Sequence, residues 1–354
     1  MFNYLRAKKA QSMAARHNTQ SSKLIRYLVS AKNWSINHDG ECLMANLPQP
    51  VGELTISHAG INQGIFHFGG IADALSKGKM RWPQSDIHCG LTWFHIMDND
   101  KRLKLVPELD KKLRFWHSSC QQTIDTLIKH GATPEKTHLI PLGVDTKIFT
   151  PASQIEKLAL RKQLNIDAET IVIGSFQKDG SGWKNGHKPK LEKGPDVFCD
   201  VIETLAKSHK LFILLSGPAR GYVKKRLTKA GIAFYHTGYL PHANDVVPYF
   251  KALDIYLIAS RIEGGPKAAL EAPACGIPLV STSVGMVRDI VQHGVNGLVT
   301  AVDDRQALVQ ACEAIINDAD LATTLTQKGR QLAEHHSWQK IAQRYYNELY
   351  RPLL

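Results

Sequence analysis

Two glutamates, Glu263 and Glu271, stand eight positions apart in the run ASRIEGGPKAALEAPACGIPLVSTSVG, residues 259–285. Gly264 and Gly265 follow the first and let the backbone turn tightly beside a ligand. Pro266 suits the first turn of a helix, where its missing N–H costs nothing. The amides of Lys267 and Ala268 then lie at the positive end of that helix, a ready anion site. From Pro266 to Glu271 a helix rises roughly 7–8 Å. One carboxylate would stand on either side of a bound diphosphate. Carboxylates accept hydrogen bonds from sugar hydroxyls, and a nucleotide sugar has a sugar on both sides of its diphosphate.

Such a site needs strands that end beneath it. TIVIGSF (170–176), KLFILLSG (210–217), LDIYLIAS (253–260) and PLVSTSV (278–284) read as buried parallel strands. Helical patterns separate them, as in GPDVFCDVIETLAKS (194–208) and PKAALEAPAC (266–275). This alternation predicts an α/β doubly wound sheet, which binds ligands at the carboxyl ends of its strands. In the first half, DIHCGLTWFH (86–95), KLRFWHSS (112–119) and THLIPLG (137–143) read as strands. SCQQTIDTLIKHG (119–131) reads as a helix with a serine cap and a terminal glycine. GELTISHAG and GIFHFGG, within 52–70, read as strands joined by a glycine-rich turn, and the first 45 residues as one or two basic helices. Gly143 and Pro151 suit a stiff hinge, so the boundary is expected near 150: one domain over 1–150, a second over 151–336, and a C-terminal helix over 337–354.

The bulk numbers narrow the partners. A chain of 354 residues suits two domains of ordinary size. No run of about 18 apolar residues predicts a membrane span, and the N-terminus lacks the apolar core of a secretion signal. The six cysteines are scattered without a C-x-x-C pair, against a zinc site or a disulfide scaffold, and a cytoplasmic setting fits them. The net charge is +12, with 19 Lys and Arg against 12 Asp and Glu up to residue 150 and 25 against 20 beyond it. This spread excess suits an anionic membrane surface, a phosphorylated substrate, nucleic acid, or simple solubility. No recognition helix, zinc finger or aromatic RNA motif supports nucleic acid.

The pattern EGGPKAALEA followed by a strand and VG resembles the retaining family-four glycosyltransferases, also called glycosyl transferase group 1, of the GT-B fold. IPLGVDTKIFTP resembles their interdomain linker. GSFQKDG with KLEKGPDVF resembles their first C-terminal strand and phosphate-binding lysine region. SVGMVRDIVQHGVNGLV resembles their closing β-α-β segment. The resemblance spans about residues 86–354 and is strongest over 170–300. It implies two Rossmann-like domains facing across a cleft.

Residue by residue, the resemblance implies that Glu263 contacts the donor hexose and Glu271 the ribose. The amides of Lys267 and Ala268 would hold phosphate, and Lys193 in LEKGPD would pair with the diphosphate. The family's arginine after the first strand is absent, and Lys178 stands in its place as a point charge. Gly238, Tyr239 and Leu240 fall where the family's backbone meets the base. Arg220 lies near the ligand face or on plain surface, and the amides of 283–286 are expected to close over the ligand. His95, ending the strand CGLTWFH, corresponds to a histidine that faces the donor sugar. Gly69 and Gly70 are a weak signal for an acceptor loop. Cys275 and Cys312 read as core.

The function implied is retaining transfer of a hexose from a UDP-, GDP- or ADP-linked donor to a glycan or lipid-linked acceptor, in bacterial cell-surface polysaccharide synthesis. Asp98-Asn99-Asp100 is read as a polar loop rather than a metal site, so neither a metal nor another cofactor is expected. The alternatives are a nucleotide-sugar 2-epimerase of the same fold and a non-catalytic basic binding protein. The basic start, residues 2–30, carries six Lys and Arg and no acid. With apolar Phe2, Leu5, Met13, Leu24, Ile25, Leu28 and Val29 it suits either a peripheral hold on the inner face of a membrane or a helix packed on its domain.

Overall fold

A computed structural model describes residues 2–30, 35–76, 79–83, 87–97, 99–182 and 185–354, with the backbone alone for 2–7, 35, 36, 76 and 243. The chain forms two compact units, one of Met1–Gly143 with Trp338–Leu354 and one of Val144–Ser337. The chain therefore passes between the units twice, and the first division falls at Gly143/Val144.

The first unit is built on β1 (Ile25–Leu28), β2 (Gly52–Thr55), β3 (Ile65–Phe68), a small ribbon of β4 (Leu75–Ser76) and β5 (Lys79–Met80), then β6 (His88–Thr92), β7 (Leu113–Ser118) and β8 (Thr137–Leu139). Its main sheet has the order β2-β1-β3-β6-β7-β8, with every pair parallel. Alternate side chains of a strand face opposite sides of the sheet. Phe66, Phe68 and Trp116 join one buried cluster, while Ile65 and Phe115 join another with Trp338, Ile341 and Tyr345. The C-terminal segment thus closes one face of this sheet.

That second face holds a buried polar chain. The Tyr350 hydroxyl lies 2.7 Å from His67 Nδ1, and His67 Nε2 lies 2.8 Å from Thr92 Oγ1. Thr92 Oγ1 is 2.8 Å from His117 Nδ1, and His117 Nε2 is 2.9 Å from the Ile140 carbonyl. With both rings neutral and protonated on Nε2, each donor in the chain meets one acceptor. Burial is the main reason both imidazoles hold their pKa low, His117 at about 3.

Two local expectations are corrected here. The basic start is not helical throughout: the helix Phe2–Gln20 is followed by β1, whose Ile25, Leu28 and neighbouring Val29 are core. A short apolar run has no period that distinguishes strand from helix. The expected strands within 52–70 both form, as β2 and β3, with β1 between them in the sheet. The helix Gln121–Lys129 is preceded by Cys120 at its N-cap rather than by a serine, with no side-chain capping bond.

The second unit contains β9 (Ile171–Phe176), β10 (Leu211–Ser216), β11 (Ala233–His236), β12 (Ile255–Ile258), β13 (Leu279–Thr282) and β14 (Leu298–Thr300). The order is β11-β10-β9-β12-β13-β14, again all parallel. Counted along the chain this is the 3-2-1-4-5-6 order of a doubly wound Rossmann sheet. The order reverses between β9 and β12, so their connections leave to opposite faces and open a crevice at the carboxyl ends. The helix Pro195–Leu205 and the helix Arg305–Asn317 cover one face through Val197, Val201, Leu308 and Cys312.

Candidate active site

At the switch point β9 and β12 are direct neighbours, pairing Ile173 with Ile255 and Gly174 with Tyr256. The loop after β9 carries Gln177 and Lys178, and the loop after β12 carries Ser260 to Pro266. A short 3-10 turn, Leu191–Lys193, brings a third segment to the same end. Gly194 closes that turn at φ 59, and a Cβ there would lie 1.8 Å from the Ala259 carbonyl oxygen. Only glycine permits this approach.

The result is a contact between two of the expected site residues. Lys193 Nζ lies 2.7 Å from Glu263 Oε2, and the buried Ser260 hydroxyl donates to Glu263 Oε1 at 3.0 Å. The Gln177 side chain donates to the Lys193 carbonyl at 3.2 Å. The Lys193 side chain remains 22% exposed and that of Glu263 11%. An ammonium has three donors and a carboxylate about four acceptor positions. Both groups therefore keep capacity for a ligand.

Glu271 is half-buried on the helix Ala268–Ala274. Beneath the glutamates lies Tyr256, whose hydroxyl accepts from the Phe176 amide at 2.8 Å. Burial raises the pKa of this phenol, against the opposing Phe176 bond, with smaller contributions upward from the Glu271 and Glu263 charges and downward from Arg220.

The helix itself begins later than expected. Lys267 is its N-cap, and Pro266 sits before the cap with its carbonyl accepting from Ala269 N at 2.9 Å. The amides of 283–286 are also mostly committed elsewhere. Ser283 N donates to Thr300, Val284 N to Thr282 and Met286 N to Gly264. Gly285, at φ 48, lets this segment reach the glutamate loop: a Cβ on it would lie 2.4 Å from the Gly264 oxygen. The segment thus packs against Gly264, whose carbonyl accepts from Met286 N at 2.8 Å. Neither Gly264 nor Gly265 has a positive φ.

Lys178 is half-buried, and burial together with the Lys190 charge lowers its pKa. The sequence reading did not single out Lys190, and only the fold brings it near. Arg220 is not a surface residue. It is 1% exposed, faces the fully buried Asp179 at 3.0 Å, and donates to the carbonyls of Ser175, Gln177 and Ser216. It ties the ends of β9 and β10 together. Burial raises the Asp179 pKa, with the Arg220 charge opposing.

Gly238, Tyr239 and Leu240 follow β11, where the Gly238 carbonyl accepts from Gly217 N at 3.1 Å and Tyr239 is 57% exposed. His95, in the first unit, is exposed in the loop after β6, which ends at Thr92 rather than at His95. Asp98 lies outside the described residues. Asp100 caps the turn Lys101–Leu105 and pairs with Arg102 at 2.6 Å. Gly69 and Gly70 are buried, and a Cβ on Gly69 would press on Tyr27. Cys275 and Cys312 are core, with thiol pKa values pushed up to about 12 by burial. Ser260 and Arg261 were missed, although both stand in the same SRIEGG run as Glu263.

Residues 188–332 match the family model described as glycosyl transferases group 1. The lipopolysaccharide core biosynthesis mannosyltransferase LpsB of Rhizobium meliloti is 31% identical over 186 residues, covering 50% of this chain and 49% of that protein. A D-inositol 3-phosphate glycosyltransferase of Stackebrandtia nassauensis is 25% identical over 327 residues, covering 85% and 69%. The chain spans about half the length of the first curated relatives it matches. Anabaena Alr3699/HepE, solved in complex with UDP and glucose, superposes with a TM-score of 0.76 at 17% identity, covering 92% of this chain and 98% of that one. Sucrose-phosphate synthase of Thermosynechococcus elongatus gives a TM-score of 0.70 at 18% identity, covering 94% and 99%. Residues 188–332 thus resemble the group 1 glycosyl transferases, and the chain has the GT-B fold, with two Rossmann-like domains.

Proposed function

We propose that the protein is a retaining hexosyltransferase that takes its sugar from a nucleoside diphosphate. The observation that carries this reading is the Lys193–Glu263 pair at the carboxyl end of the switch-point strands, with Glu271 in the first turn of the short helix that follows. Lys193 and Lys178 neutralise the charge that develops on the departing diphosphate, which is electrostatic stabilisation of the transition state. Glu263 keeps its ammonium partner and accepts from hydroxyls of the hexose. Glu271 accepts from the ribose, and the backbone of Gly238 to Leu240 meets the base. The amides of Lys267 and Ala268 face the phosphates at the start of a helix of only seven residues, so the lysines carry most of the neutralisation. The departing phosphate takes the proton of an acceptor hydroxyl that attacks from the same face. Glu263 positions and does not attack. His95 is the proposed contribution of the first unit to hexose binding.

A relative named for lipopolysaccharide core biosynthesis supports a glycan or lipid-linked acceptor, and a solved neighbour named with UDP-glucose supports a nucleotide-sugar donor. No helix among the described residues is long and apolar enough to cross a membrane. Peripheral work at an anionic inner membrane face would use the exposed Lys8, Lys9 and Arg16 of the helix Phe2–Gln20. The deciding experiment is a product assay over UDP-, GDP- and ADP-linked hexoses with acceptor extracts, beside thermal shifts with UDP, GDP and ADP. Stabilisation by one of these diphosphates and matching sugar transfer are expected. No response to any of them, with oligonucleotides stabilising instead, would favour a basic binding protein.

A further inference from the structure

Lys193 and Glu263 are 70 positions apart and come from separate loops, so their register has to be set by something other than themselves. The residues just before each supply it. The amides of Arg261 and Ile262 both donate to the Glu192 carbonyl, at 2.9 and 3.0 Å. The Arg261 side chain crosses the same seam. Its Nη1 donates to the Leu191 carbonyl at 2.7 Å, and Nη1 and Nη2 grip Asp196 at 2.8 and 2.6 Å. Nε donates to Asp303 at 2.9 Å. One planar fork therefore joins the 3-10 turn, the first turn of the helix Pro195–Leu205 and the loop beyond β14 to the glutamate loop.

Bidentate guanidinium–carboxylate contacts are directional as well as attractive. Here the direction matters, because the seam runs straight into the contact between Lys193 and Glu263. Asp303 is itself held at φ 66, an uncommon conformation for a residue other than glycine. That turn presents its carboxylate to Arg261.

We propose that Arg261 is a positioning residue for sugar transfer: it holds the Leu191–Lys193 turn in register with the Glu263 loop, so that the ammonium meets both the carboxylate and the leaving diphosphate. Arg261 does not touch the reacting atoms. The assignment rests on the reading of Lys193 and Glu263 as donor-site residues, and a misplacement of about 1 Å at such a site can cost on the order of 10²-fold in rate.

The test is a double-mutant cycle on turnover of the nucleotide sugar identified by the panel, with melting temperature and nucleoside diphosphate affinity measured alongside. Arg261→Ala is expected to lower kcat about tenfold or more in the otherwise unchanged protein. In the Lys193→Ala background the same substitution should cost less than about twofold, because the residue acts through Lys193 and groups that act as a unit are non-additive. Arg261→Lys keeps a charge beside Asp196 but cannot bridge all the partners. It should fold with a melting temperature close to that of the parent and still lose most of the turnover that Arg261→Ala loses. A further tenfold loss on adding Arg261→Ala to Lys193→Ala, or full turnover in Arg261→Lys, would make Arg261 an ordinary stabiliser of the unit and overturn the assignment. Unchanged turnover in Lys193→Ala alone would instead overturn the reading of the site beneath it.

Discussion

Lys193 and Glu263 form an ion pair at 2.7 Å at the carboxyl end of the β9–β12 junction, and the Ser260 hydroxyl holds the other carboxylate oxygen at 3.0 Å. Under the proposed function the pair joins a group suited to a leaving phosphate with a group suited to a sugar hydroxyl, and each would orient the other before a ligand arrives, reducing the reorganisation that transfer requires.

Lys193→Ala is expected to lower kcat by on the order of 10²-fold or more, since a donor to developing charge is removed. It also leaves Glu263 without its cation, so hexose positioning should suffer too. Lys193→Arg should recover part of the rate, because a planar fork cannot replace the ammonium in a gap built for it. Steady-state kinetics with the identified donor reads this, and wild-type kcat in Lys193→Ala would move the phosphate site elsewhere.

The two glutamates should separate by assay. Glu271→Ala is expected to weaken nucleoside diphosphate binding about tenfold, the loss of hydrogen bonds to a charged acceptor, as measured by calorimetry. Glu263→Ala should bind the nucleoside diphosphate within a few-fold of wild type and lose turnover. Equal diphosphate affinity in Glu271→Ala and wild type would remove the ribose assignment.

Activity is expected to survive EDTA. Lysines supply the positive charge proposed at the diphosphate, and Asp100 is engaged as a helix cap and by Arg102. Loss of activity on chelation, restored by Mn²⁺ or Mg²⁺, would bring back a metal-dependent reading.

The buried His67–Thr92–His117 chain predicts an acid-labile first unit. His117 titrates at about 3 in the folded protein, against about 6.5 for a free histidine. Between those values the unfolded chain binds more protons, so stability is complete above about pH 6.5 and is lost progressively toward pH 3. Urea melts at a series of pH values should show the fall. Thr92→Val strands a donor and an acceptor in the core and should cost about 2 kcal/mol or more at neutral pH. A melt independent of pH between 7 and 4 would mean that the histidines are not buried as neutral rings.

Peripheral membrane binding is expected to be weak and salt-sensitive. Arg26 is 1% exposed and pairs with Glu53 at 2.9 Å, so it has no part in it. Near an anionic surface each of Lys8, Lys9 and Arg16 contributes about 1 kcal/mol. Co-sedimentation with anionic vesicles at low salt should be lost when all three become Glu. Equal recovery in the supernatant with neutral and anionic vesicles would leave the basic charge to the substrates.

Much of the second unit was legible before folding. Strands such as TIVIGSF and KLFILLSG announce themselves by short β-rich apolar runs between helical periods, and they appear as β9 and β10. Glu263 could be placed after a strand, and Glu271 on the following helix, by the same local pattern. Lys193 could be placed before a glycine at a helix start. These are properties of neighbours along the chain, and neighbours along the chain are what a sequence displays. The start of the molecule was harder, because IRYL is too short to show a period, and its basic flanks suggested a helix that the structure replaces with a core strand.

Which loops would lie side by side was decided only in three dimensions. The β11-β10-β9-β12-β13-β14 order sets the loop after β9 beside the loop after β12, though about 80 residues separate them. Gly194 and Arg261 then bring Lys193 to Glu263, and Arg220, which the sequence could equally put on the surface, is buried as the clamp on β9 and β10. Periodicity reports which face of an element is apolar. It does not report which element covers that face, because pairing depends on sheet order and on burial summed over distant segments, and a single polar residue carries no local mark of the partner that makes its burial affordable.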